Sequence, residues 1–386
     1  MPNTPLKNLV YRAALPWKAP SVKDRLTHIA TGETIALPAY DALLCKHHVH
    51  GASLLLKSGS HQAQVLSSLD DGIHIAAEDT CFRVASLTKM ATSLVTLRMI
   101  ENHVFSLDTP IIQLLPAHLP NLEGISVRML LSHTSSLRDL PETDALLSAH
   151  ETLDRVLSVP GIRQGNIGTF SYCNFGFGLL GCILENISGK SLRDVFDELL
   201  FAPASMRATI DASTLPESSI MPCTRVLPYH PDHSIRRTKL GSIPLDFPDP
   251  KRHFGHTAGA LYTNADSISA MLSIIQTGHI GNETYISPAL LHEMHTVHAT
   301  YGKRSPTLSY GLGLLFIDDP SISPSRLIGH QGFAYGVVDG AFFEADSGKQ
   351  CILLNGGCSE ARTGMLGISN RDMLRFGLEE MKKWHA

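Results

Sequence analysis

The hydrophobic period of this 386-residue chain changes twice, and that change constrains its architecture more than any other feature. Near the start, "GASLLLKSGSHQAQVLSSLDDG" reads as two strands around a Ser58-Gly59 turn. From Ser86 onward Leu87, Met90, Ala91, Leu94 and Leu97 recur at helical steps, and helical patterns dominate from about residue 106 to residue 290. Within that region "FGFGLLGCILENISG" predicts a helix closed by Gly189. Strands then return in "YGLGLLFID", "RLIGHQG", "GVVDGAFFEA" and "QCILLNGG", the last two joined by the turn signal Asp346-Ser347-Gly348. A final amphipathic helix carries Leu374, Leu378 and Met381.

Strand-forming ends around a helical middle predict an α+β fold. One antiparallel sheet is built from both chain ends and flanked by helices, with an inserted, mainly helical subdomain. Residues 1–40 read as an N-terminal extension, 41–105 and 291–386 as the sheet subdomain, and 106–290 as the insertion, with a long Pro- and His-rich loop near 207–256.

Composition narrows the function classes. A formal net charge of −4 without long runs of one sign gives no electrostatic case for nucleic acid or a membrane surface. The apolar runs are too short to span a bilayer. Residues 1–20 lack the continuous apolar segment of a secretory signal. Seven scattered cysteines without C-x-x-C suit reduced thiols, so a cytoplasmic location is expected. Nothing in the sequence specifies an oligomeric state.

Three motifs carry chemistry. In "FRVASLTKMATSLV", Ser86 and Lys89 lie three residues apart at the head of a helix, hence on one face. A serine hydroxyl needs a positioned base, and a lysine serves as one when burial or neighbouring cations keep it neutral. The same pair also arises as a capping serine followed by a surface lysine. In "FSYCNFG", Tyr172 and Asn174 precede an apolar helix, where a tyrosine can relay a proton and an amide can hold Lys89 or a substrate carbonyl. In "LIGHQGFAYG", His330-Gln331-Gly332 ends a predicted strand, where Gly332 can admit a ligand and the Phe333 N–H can join that of Ser86 as an oxyanion donor, or where a Gly-rich bulge simply satisfies His330.

Twenty histidines invite a metal reading, but His292, His295 and His298 in "HEMHTVH" lack the H-E-x-x-H spacing, and no metal is expected. His230 and His256, on the long loop, are expected within reach of the cleft. Phe175, Phe177 and Tyr335 are expected to form an apolar pocket. The absence of G-x-S-x-G disfavours an α/β-hydrolase triad built on His133.

In the order S-x-x-K, Y-x-N, H-x-G, the three motifs resemble the β-lactamase-like serine hydrolase superfamily, which groups class C β-lactamases, D-Ala-D-Ala carboxypeptidases, D-aminopeptidases and esterases. The likeness extends over about residues 45–370. "CFRVASLTKMATSLVTLRMIENHVFSLDTPIIQLLP" is similar to the family's nucleophile helix and its "L-D-x-P" segment, and "SVRMLLSHTSSL" to its "LLSHTSGL" block, with Ser136 where Gly is usual. "GKSLRDVFDELLFAPASM" and "TAGALYTNADSISAML" match two further blocks.

The resemblance implies the β-lactamase/transpeptidase-like fold and a covalent acyl-enzyme without metal or organic cofactor. It makes Ser86 the nucleophile, Lys89 its neighbour in the proton relay, and Tyr172 the general base. Asn174 would orient the substrate amide and Lys89, while His330, Gly332 and Phe333 would line the opposite strand edge. His133 would end a helix and tie neighbouring loops. The third motif begins with His330 where penicillin-directed members carry Lys, which disfavours strongly anionic substrates. The expected function is hydrolysis of a carboxylic ester or small amide. The alternatives are a D-amino-acid-directed peptidase or weak β-lactamase, and a low-turnover binding or scaffold member.

Overall fold

The structure, a computed structural model, describes residues 5–116, 120–232, 243–301, 307–334 and 336–384. Its centre is a nine-stranded sheet made of β1 (Leu26–Gly32), β2 (Ala52–Ser58), β3 (His61–Leu69), β4 (Ala299–Tyr301), β5 (Thr307–Tyr310), β6 (Leu315–Asp318), β7 (Leu327–Ala334), β8 (Val337–Glu344) and β9 (Gln350–Asn355). The spatial order is β1-β3-β2-β9-β8-β7-β6-β5-β4, antiparallel throughout. The chain's two ends meet where β2 pairs with β9, Ala52 opposite Asn355 and Lys57 opposite Gln350.

Side chains alternate across the pleat, so this seam feeds two cores. Leu55, Ile352 and Leu354 join the core shared with helices α1 (Thr88–Glu101), α2 (Asn174–Ser188) and α3 (Ala265–Thr277). Leu54, Leu56 and Leu353 join a second core under α4 (Ile368–Lys383) and the short helix Leu37–Lys46. Burial on both faces is why β2 reads as a nearly continuous apolar run. Each fully buried Leu or Ile contributes roughly 1.5–3 kcal/mol of transfer free energy.

Helix α1 runs through the middle of the first core, with Thr88 through Leu97 all buried. Its polar side chains are absorbed locally: Thr92 Oγ1 donates to the Thr257 carbonyl at 2.7 Å, and Thr96 Oγ1 to the Thr92 carbonyl at 2.7 Å. Gly189 closes α2 in the left-handed conformation, as its position predicts. Ser136, at φ 64°, also stands in that region, which accounts for the glycine usual there.

Two expectations change. Leu26–Gly32, inside the stretch read as an extension, is hydrogen-bonded into the sheet as its edge strand. "YGLGLLFID" is not one strand but two, β5 and β6, because Gly311 and Gly313 turn the chain; a Cβ on Gly313 would lie 1.8 Å from Ser93 Oγ. All seven cysteines are unpaired. Among the described residues no helix is long and apolar enough to cross a membrane.

Candidate active site

Ser86 sits in a single 3-10 turn, Ala85–Leu87, that leads into α1. It makes no capping bond to the helix, so the capping alternative falls away. Ala85 is held at φ 47°, a conformation costly for a residue with a Cβ. Flanking pairing over-determines the turn: Phe82–Arg83 pairs with Tyr262–Thr263, and the Val84 N–H donates to the Leu261 carbonyl at 3.0 Å.

Lys89, one turn on, is completely buried. Its Nζ lies 3.0 Å from Ser86 Oγ, 2.8 Å from Asn174 Oδ1 and 2.8 Å from the Ala258 carbonyl. The last two groups can only accept. A neutral amine directing its two N–H bonds at them therefore presents its lone pair to the Ser86 hydroxyl. Burial favours that state, pulling the lysine pKa down to about 7, against the opposing pull of Asp139. Tyr172 Oη lies 2.9 Å from Ser86 Oγ on another side. Burial pushes its phenol up, so it stays protonated and donates to the serine oxygen.

Asp139 went unrecognised in the sequence, where it has no motif of its own. Its carboxylate accepts from the N–H groups of Asn174 and Phe175, both at 2.9 Å, and so neutralises the start of α2. It also accepts from Asn174 Nδ2 at 2.8 Å, which sets the amide's orientation and turns Oδ1 toward Lys89. The Ala258 carbonyl is equally invisible in sequence, since any residue type supplies one.

The third motif is placed differently from expectation. β7 continues to Ala334, so His330 and Gly332 lie inside the strand, not at its end. His330 is buried; its Nδ1 donates to the Gln331 carbonyl at 2.6 Å and its Nε2 accepts from the Tyr310 hydroxyl at 2.9 Å. Burial and nearby Lys89 push its pKa down to about 3, so it brings no cation to the cleft. It lies behind Tyr172, ring centroids 6.4 Å apart, and does not line the opening. Gly332 admits the protein's own backbone instead of a ligand: a Cβ there would lie 2.4 Å from the Val84 carbonyl oxygen. Phe333 does line the cleft, with the Arg362 guanidinium 3.8 Å from its ring centroid.

His133 follows the end of the helix Val127–Leu131 and ties loops as expected: its Nδ1 accepts from the Cys173 N–H at 3.1 Å, and its ring stands 4.3 Å from that of Tyr172. Phe175 lines the cleft, whereas Phe177 is buried beneath Lys89, 5.5 Å from Nζ. Tyr335 lies outside the described residues. His256 is buried edge-on against His253 and does not line the opening, and His230 is exposed on the hairpin Cys223–Asp232. The cleft of about 390 Å³ above Ser86 has apolar walls from Leu147, Phe175, Phe254 and Phe333. Its charged groups are Arg83, Arg225, Asp139 and Glu360.

An antiparallel sheet with its helical insertion, and a serine between a buried lysine and a tyrosine, define the class: a serine hydrolase. The chain belongs to the Beta-lactamase family, whose model matches residues 40–353. It is 26% identical to Esterase EstB of Burkholderia gladioli over 76% of this chain and 82% of the esterase. With Penicillin-binding protein 4 of Amycolatopsis lactamdurans it shares 28% identity over 47% of this chain and 49% of that protein. Its fold is similar to that of D-amino acid amidase from Ochrobactrum anthropi SV3, with TM-score 0.70 and 23% identity over 88% of this chain and 95% of the amidase.

Proposed function

We propose that the protein hydrolyses small carboxylic esters through an acyl-enzyme on Ser86. The observation that carries this reading is the buried Lys89 amine 3.0 Å from Ser86 Oγ, beneath an open cleft whose walls mix apolar and charged side chains. Ser86 Oγ attacks the ester carbonyl carbon as its proton passes to the Lys89 lone pair. The N–H groups of Ser86 and Phe333 receive the oxyanion. Collapse breaks the bond to the alcohol, which leaves with a proton delivered from Lys89 through the Tyr172 hydroxyl. Water then attacks the acyl carbon, its proton passes to Lys89, and Ser86 Oγ leaves protonated. The pKa values argue for Lys89 as the resting base and Tyr172 as the relay, a division the resemblance alone left open. The seven unpaired thiols support a cytoplasmic site of action.

The carboxylates of Asp139 and Glu360 in the cleft favour a second reading, a D-amino-acid amide or ester whose ammonium they would meet. The fold likeness to D-amino acid amidase is in keeping with it.

The test is intact-mass spectrometry after fluorophosphonate treatment, with turnover of p-nitrophenyl esters, D-amino-acid p-nitroanilides and a chromogenic cephalosporin. A single adduct and ester turnover are expected in the wild type, and neither in Ser86→Ala. An adduct that persists in Ser86→Ala overturns the nucleophile assignment; faster turnover of the D-amino-acid amides selects the second reading.

A further inference from the structure

On the far side of the hairpin that brings Arg225 to the cleft, three segments bring together side chains that the hydrolytic chemistry does not use. His50 lies two residues before β2, Asp71 and His74 lie in the turn after β3, and Thr224 belongs to the hairpin Cys223–Asp232. One ligand atom each from His50, Asp71 and His74 lies within 4.8 Å of the others. We propose that His50, Asp71 and His74 form a binding site for a divalent transition-metal ion of the zinc class, which ties the segment before β2 to the turn after β3.

His50 is the observation that points to a ligand. It is 2% exposed, and neither of its ring nitrogens has a hydrogen-bond partner among the described residues. A buried imidazole without a partner forfeits a hydrogen bond to water and gains nothing in return. Its ring stands edge-on to His74, centroids 5.1 Å apart, beside the Asp71 carboxylate that approaches the same histidine.

Both ring nitrogens of His74 have protein partners, one of them the Asp71 carboxylate. Its Nδ1 lies 2.7 Å from Asp71 Oδ2 and its Nε2 2.7 Å from Thr224 Oγ1. With metal present, the ion takes the place of the proton between Nδ1 and the carboxylate, and the neutral ring changes tautomer, its one proton passing through solvent to Nε2. Nε2 then donates that proton to Thr224 Oγ1, the outer bond that orients a ligating imidazole. The exchange needs the 2.7 Å contact to open modestly, because two ligands about 2.0 Å from one ion stand farther apart than that. Two imidazoles and one carboxylate leave a position for water, and that donor set suits zinc, cobalt or nickel better than calcium or magnesium. The spacing hides the site in sequence, since His50 belongs to the "KHHVH" cluster and its partners lie more than twenty positions on.

The test uses the full chain, stripped with chelator and titrated with Zn²⁺ and with Co²⁺. One ion per chain is expected, with visible d–d bands for Co²⁺ and a rise in Tm. Asp71→Asn and His50→Gln should each weaken that binding by at least about tenfold, while metal-free ester turnover stays at the wild-type level. Metal uptake and Tm are read independently of turnover, so a chain without esterase activity still tests the site. No tight equivalent in the wild type, or uptake unchanged in both variants, overturns the proposal; unchanged uptake would assign the ion to other histidines.

Discussion

At the scale of single residues, the local environment decides what Ser86 and Lys89 can do. A lysine three residues from a serine is chemically idle while it is an exposed cation. Here burial pulls it to about 7, so its charge state changes near neutrality. Below that value Lys89 holds a proton and has no lone pair for Ser86; above it the base is competent. The expected kcat/KM therefore rises with pH, falling by about tenfold for each unit below the inflection near 7. A profile flat through neutrality would exclude Lys89 as the base. Tyr172, kept protonated by burial, should contribute mainly after binding, so Tyr172→Phe should lower kcat much more than it raises KM.

At the scale of elements, the site depends on how closely a strand approaches a turn. β7 touches the turn before α1 because Gly332 has no Cβ, the Val84 carbonyl occupying that space. In Gly332→Ala the added carbon must push β7 away from Val84 and Ala85, at a cost of about 1–3 kcal/mol. If Ser86 attacks the ester as proposed, turnover should fall at least about tenfold, because a small misplacement of an attacking group is expensive. Far-UV circular dichroism should stay native. Wild-type kinetics in this variant would mean that the approach is incidental to the position of Ser86. The helix and strand patterns were legible here: Gly189 and the buried Leu374, Leu378 and Met381 stand where periodicity puts them. The role of Gly332 was misread because a missing Cβ accommodates a ligand and a neighbouring backbone equally well. His330 was misread because its partner Tyr310, twenty residues away, cannot be inferred from the motif.

At the scale of the molecule, both chain ends close one sheet, and a charged knot helps hold them there. Asp372, on α4, lies 2.7 Å from Lys46 Nζ, 3.1 Å from His47 Nε2 and 3.1 Å from Arg371 Nη2. Burial acts to raise its pKa, but hydrogen bonds from His47, Lys46 and Arg371 together outweigh it and hold the carboxyl well below the usual range. A depressed carboxylate contributes stability above its unfolded pKa of about 3.9, and loses it as pH falls toward the folded value. Asp372→Asn should thus cost about 1–3 kcal/mol in urea unfolding at neutral pH, most of it from the buried His47 contact, since Lys46 is exposed. The gap between variant and wild type should shrink below about pH 4. A gap that stays constant on acidification would show that the carboxylate's charge is not what binds α4 to the end of the helix Leu37–Lys46.

What the sequence determined by itself is what short range governs. The strand and helix periods, the left-handed position of Gly189, and the placing of Ser86 and Lys89 on one helical face all follow from backbone geometry within a few residues. Only the tertiary structure decided how Lys89 is desolvated, that Asn174 and the Ala258 carbonyl take its two N–H bonds, that Asp139 orients Asn174, and that His330 stands neutral behind Tyr172. The reason is physical. Charge state and side-chain orientation depend on dielectric and on partners, and both are supplied by segments that meet only when the chain closes its sheet.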